Sequence, residues 1–332
     1  PGRRHQRHLG SEGLRWAMML GRTANSLFWM FRYLERSENT ARLLDAALRM
    51  AITRDVVTAK EEWRSVISTL GTRQLYQETN DSFEGHSAWN FVLRDKANPA
   101  NIREMFGAVR SNARAARTNI SSEVWTAVNE SYLKLDPMLS RPISQSAVGE
   151  VVQTIRRAGT RVHGALDGSM LRNEGFHFAR SGTYIERAES TARILDMKYF
   201  LLLPSLGHVG SSLDTGQWDQ VLRSVAGASA YGWLNAGYVD ARGIVEFLVL
   251  DDRFPRSLAF CRSALRDNLA SLARMHGDRG RCHELMAEAD MRVSNITVDD
   301  IFDQGLHEFL IEFMSNNAAI ADAIAEDYRF LA

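Results

Sequence analysis

The chain has 332 residues, of which 45% are hydrophobic, and 40 Lys and Arg balance 40 Asp and Glu. That length and apolar content allow one large domain or two modest ones, and a formal charge of zero excludes the clustered basic excess that holds nucleic-acid phosphates. No apolar run approaches the ~20 residues that span a bilayer. The two cysteines, Cys261 and Cys282, stand at no metal or redox spacing, so a reduced, cytoplasmic chain is expected.

Residues 1–18 are basic and lack apolar periodicity, and are set apart as a leader or extension. Organised sequence begins at Met19-Leu20-Gly21. Met30, Leu34, Ser37, Ala41, Leu44 and Leu48 then form a stripe at spacings of three and four, which predicts a long helix. Asn98 is the expected N-cap of a helix whose first turn accepts Pro99. Ser121-Ser122-Glu123 opens a run through Trp125, Val128 and Leu133, closed by Asp136-Pro137 and Arg141-Pro142. A further helix is expected from Ser144 to Leu166. The apolar stretch Tyr199 to Leu203 stops at Pro204, and a last helix is expected from Asp299 to Tyr328. With no run of period-two alternation, the fold class is all-α, a helical bundle.

The chain also repeats itself. Tyr33 to Asp45 aligns with Tyr184 to Asp196 at an offset of 151, with nine of thirteen residues identical and two more Leu/Ile exchanges. Trp63 and Tyr76 align with Trp218 and Tyr231. Phe91, Pro99, Arg110 and Asn112 align with Phe247, Pro255, Arg266 and Asn268, at an offset of 156. One repeat is therefore expected over residues 19–168 and a second over 169–332. They would be related by a pseudo-two-fold within one compact domain.

Chemistry is concentrated in the repeated helix. Glu35, Glu38, Arg42 and Asp45 share one face beside the apolar stripe, as do Glu186, Glu189, Arg193 and Asp196. Glu38 and Arg42 form an i,i+4 pair in the favoured order. On this wheel Arg36 points away from the stripe, as does its aligned residue Arg187. Three readings follow: a structural ion-pair network, a site for a charged ligand or peptide, or a carboxylate cluster acting on a metal or as acid and base. Arg42 and Arg193 could fork onto a carboxylate or phosphate. For a metal, the spacing is Glu-x-x-Glu without His, and nearby arginines oppose a cation, so no metal site is assigned. Arg110, Asn112 and Arg114 form a second candidate binding cluster. The second repeat keeps Arg266 and Asn268 but has Ala270 at the third place. His163 and His177 read as ordinary structural or surface residues. No Gly-rich phosphate loop, serine elbow or Cys–His pair points to a cofactor or a nucleophile.

At Glu35-Arg36 and Glu186-Arg187 the chain resembles the bacterial alpha-E family, also called domain of unknown function 403. Met19 to Ala24, Arg110 to Arg114 and Ser121 to Trp125 add to the likeness. The resemblance implies an all-helical protein that works beside circularly permuted ATP-grasp and transglutaminase-like proteins, and hence with peptide- or amide-bond formation. It carries over no catalytic residue. The leading expectation is thus an accessory or partner protein of an amidoligase-type system. The rivals are an enzyme using the carboxylate cluster and a structural scaffold that forms a homo-oligomer.

Overall fold

In the computed structural model the described residues are 19–53, 56–202, 212–235 and 238–330. The expected leader over 1–18 and the stop at Pro204 lie outside them. Among the described residues there are fifteen α-helices and no strand, and no helix long and apolar enough to cross a membrane.

In chain order these are α1 (Gly21–Thr53), α2 (Val56–Thr69), α3 (Arg73–Gln77), α4 (Gly85–Leu93), α5 (Ile102–Ala115), α6 (Ser122–Leu139) and α7 (Val148–Ser169). They continue with α8 (Glu174–Leu202), α9 (Ser212–Ser224), α10 (Ala228–Leu234), α11 (Ala241–Val245), α12 (Leu258–His276), α13 (Arg281–Val293), α14 (Val298–Gln304) and α15 (Leu306–Asp327). Among the described residues the most extensive contact is between α1 and α8, the two acid–arginine helices. Around this pair, α5 and α7 pack on α1, while α12 and α15 pack on α8.

Gly182 sets how closely the central pair can approach. A β-carbon there would lie 2.2 Å from the Phe28 carbonyl oxygen, so only a glycine lets the backbone of α8 sit against α1. Leu27, Phe31 and Leu34 of α1 and Ile185 of α8 are all fully buried. Fully burying one such side chain contributes about 1.5–3 kcal/mol.

Capping follows local chemistry but shifts three expectations. Asn101, not Asn98, caps α5, accepting from the Glu104 N–H at 3.0 Å. Asn98 is buried one turn earlier, where its amide donates to the Phe91 carbonyl and its oxygen accepts from Ala100 N–H. The 98–101 segment is therefore a turn, with Pro99 inside it. Pro137 does not close α6, which runs on to Leu139. The expected single helix from 299 to 328 is broken at Gly305, whose φ of +100° no helix accommodates. Ser121 caps α6 as the sequence indicates.

Candidate functional site

The α1–α8 seam holds two deeply buried carboxylates. Glu35 is fully buried and Glu186 is 5% exposed. Arg187 on α8 donates to both oxygens of Glu35, at 2.9 and 2.8 Å. Arg36 on α1 donates to both oxygens of Glu186, at 2.5 and 2.9 Å. Each Glu-Arg dipeptide thus gives its acid to the other helix's arginine, a reciprocal bidentate exchange. Arg36 points away from its own apolar stripe, as the wheel indicates, and directly into α8, a partner the wheel does not show. Arg187 does the same toward α1.

Each acid also has a second arginine. Arg256, in the turn before α12, donates to Glu35 at 2.8 Å, to Glu38 at 3.0 Å and to the Asn39 side-chain oxygen at 2.5 Å. Arg32 donates to Glu186 at 3.0 Å and stacks over Trp29. His163 on α7 brings its Nε2 within 3.2 Å of Glu35. Sequence reasoning missed Arg256 and Arg32 and took His163 for an ordinary residue. The one available signal was the position of Arg256 directly after Pro255, which aligns with Pro99.

Burial alone would raise the Glu35 carboxyl. The charges of Arg187 and Arg256 and the hydrogen bonds from Arg187 overcome it and hold Glu35 well below the usual carboxylate range. Glu186 behaves alike: burial works to raise it, and Arg36 and Arg32 bring it below its usual value.

The remaining candidates distribute as follows. Glu38 pairs with Arg42 and Glu189 with Arg193, both i,i+4 as the wheel indicates. Asp45 leaves the seam for Arg156 of α7 and Arg49. Asp196 turns to His307 at the start of α15. The structure does not bring Arg110, Asn112 and Arg114 to the seam. Arg110 is tied to Asn129 and lies over the Tyr132 ring on α6, and Arg114 is exposed.

Among the described residues, two groups have donor atoms spaced for a metal. Glu35, Glu38 and His163 offer ligand atoms within 4.8 Å of one another. They fit a cation poorly, because Arg187, Arg256 and Arg42 already neutralise the two carboxylates. Cys282, His283 and Asp327 form the other group. Burial, then the neighbouring Asp327, push the Cys282 thiol up, away from the thiolate a metal needs. Asp327 also accepts from the Cys282 backbone N–H.

An open cleft reaches the seam, with a volume of about 310 Å³. Arg36, Asn39 and Thr40 of α1 form one wall, and Glu186, Glu189, Ser190 and Arg193 of α8 form the other. Thr69 to Thr72 and Ala100 also line it. This size lies at the lower end of small-ligand sites, which run from ~300 to ~1,000 Å³. Asn39 is 6% exposed, and among the described residues its side-chain nitrogen has no hydrogen-bond partner.

An all-helical fold with paired Glu-Arg helices at its centre matches one family. The profile of alpha-E, a predicted alpha-helical domain with a conserved Glu-Arg motif, covers residues 19–329. The chain belongs to the alpha-E family. It is 22% identical over 329 residues to two uncharacterised proteins, from Mycobacterium bovis and Mycobacterium tuberculosis. The match covers 92% of this chain and 36% of each relative, so the chain spans about a third of the length of the curated relatives it matches. No solved structure matches it.

Proposed function

We propose that the chain is a binding module that serves an ATP-grasp-type amidoligase or transglutaminase-like partner. In this reading the acid–arginine seam is its rigid heart and the adjoining cleft its ligand site. The observation that carries it is that Glu35 and Glu186 are each held by two arginines. A carboxylate saturated in this way is a poor base and a poor metal ligand, because either role would strand two buried cations. That favours a structural role for the acids and leaves recognition to the cleft. The two halves are read as related by an approximate two-fold, which the reciprocal exchange supports. The relatives, in which the matched region is a minor part of a longer chain, are in keeping with a module that works beside other domains.

Co-purification of this chain with an ATP-grasp-type protein encoded beside it tests the partner role. Association at micromolar concentration is expected. Its absence, with and without ATP, overturns the assignment.

A further inference from the structure

We propose that the α1–α8 cleft binds a ligand bearing a free carboxylate beside an N–H donor, the chemistry of an amino acid or of a peptide's C-terminal end. This rests on reading the cleft as the ligand site.

The aligned turns show why the cleft is open. Arg256 follows Pro255, and its guanidinium fills the space against Glu35, Glu38 and Asn39. Ala100 follows the aligned Pro99 and ends at its β-carbon, in a cleft lined by Glu186 and Glu189, the residues aligned with Glu35 and Glu38. The vacated space is not simply a missing cation site. Arg32 supplies the second arginine to Glu186, and the residue aligned with Arg32 is Thr183.

Donors are what the cleft has in excess. The Asn39 oxygen is taken by Arg256, which fixes the amide's orientation and leaves its NH₂ without an acceptor. A buried donor in that state is destabilising until something accepts from it. Arg36 uses Nε and Nη2 on Glu186, and Arg193 uses Nε and Nη2 on Glu189. Each therefore keeps Nη1 free of protein partners among the described residues. Two guanidinium edges and an amide suit a carboxylate. One acceptor balances them: Glu189 takes Arg193 on Oε1 alone, leaving Oε2 for a ligand N–H. The lining's two arginines and two glutamates cancel in charge, which disfavours a dianion such as phosphate.

Isothermal titration of the purified chain alone tests this, with L-alanine, alanylalanine, its C-terminal amide, N-acetyl-alanylalanine and inorganic phosphate. Free carboxylates are expected to bind and the amide to bind at least tenfold more weakly. Tighter binding of L-alanine than of either dipeptide acid places the ligand among free amino acids, and the reverse places it among peptides. Arg193→Ala, at an exposed side chain, and Ala100→Arg, which refills the cleft as Arg256 does, should each weaken binding at least tenfold. Equal binding of acid and amide, phosphate as tight as the carboxylates, no binding at all, or full binding by folded Ala100→Arg overturns the proposal. Should Ala100→Arg not fold, full binding by Arg193→Ala does so. No partner is present in this titration, so its outcome is separate from the co-purification.

Discussion

Arg187 of α8 grips the Glu35 carboxylate of α1 through two hydrogen bonds, at 2.9 and 2.8 Å, across 152 positions of sequence. Glu35 is fully buried, so Glu35→Gln leaves Arg187 without its counter-charge and Arg256 with Glu38 alone. Urea unfolding should show a loss of about 3–5 kcal/mol. Glu130→Gln removes the exposed Arg161–Glu130 pair and should cost less than about 1 kcal/mol.

Acid should weaken the fold in two stages. His177 is held below its ordinary value of 6.5, by burial first and then by Arg274 and Arg172, against a hydrogen bond with Asn268. Glu35 and Glu186 are held below 4.5. A group with a lowered folded pKa contributes fully above its unfolded value, and the contribution fades as the pH falls below it. The urea midpoint should therefore begin to fall below pH 6.5 and fall more steeply below 4.5. His177→Gln should remove the first stage and leave the second.

Close approach at Gly182 makes a packing prediction. Gly182→Ala sets a β-carbon against the Phe28 carbonyl and should cost about 1–3 kcal/mol by forcing α1 and α8 apart. Gly107→Ala, in the middle of α5 with nothing within 4 Å of the new carbon, should instead stabilise by about 0.5–1 kcal/mol. Thermal denaturation of the two variants reads opposite signs.

Both thiols should be silent in the folded protein. Burial pushes the Cys261 thiol up to about 12, and the Cys282 thiol is raised as well. A thiol-reactive chromogen at pH 8 should label neither cysteine in native protein and both in urea.

How much of this was legible in the sequence depended on whether a feature is local. Helical periodicity, the Ser121 cap and the Glu38–Arg42 and Glu189–Arg193 pairs lie within a turn or two of chain, and they could be read directly. The wheel gave the direction of Arg36 but not its partner, because it assumes a helix with one buried face. α1 is enclosed on nearly every side: Leu34, Glu35, Ser37, Glu38, Asn39 and Thr40 are all buried. The side opposite the apolar stripe is therefore an interface too. Arg256 was out of reach for another reason. It meets Glu35 across 221 positions from a short turn, and no periodic pattern marks such a residue. Gly305 interrupts a sequence whose apolar spacing continues on either side, so only backbone geometry reveals the break.

The reciprocal arginine–glutamate exchange holds the two helices together. A double-mutant cycle on Glu35→Gln and Arg187→Met, followed by urea unfolding, measures that bond. A coupling energy of at least about 1.5 kcal/mol is expected, with the double variant losing less than the sum of the singles. Additive losses, with coupling near zero, would contradict it.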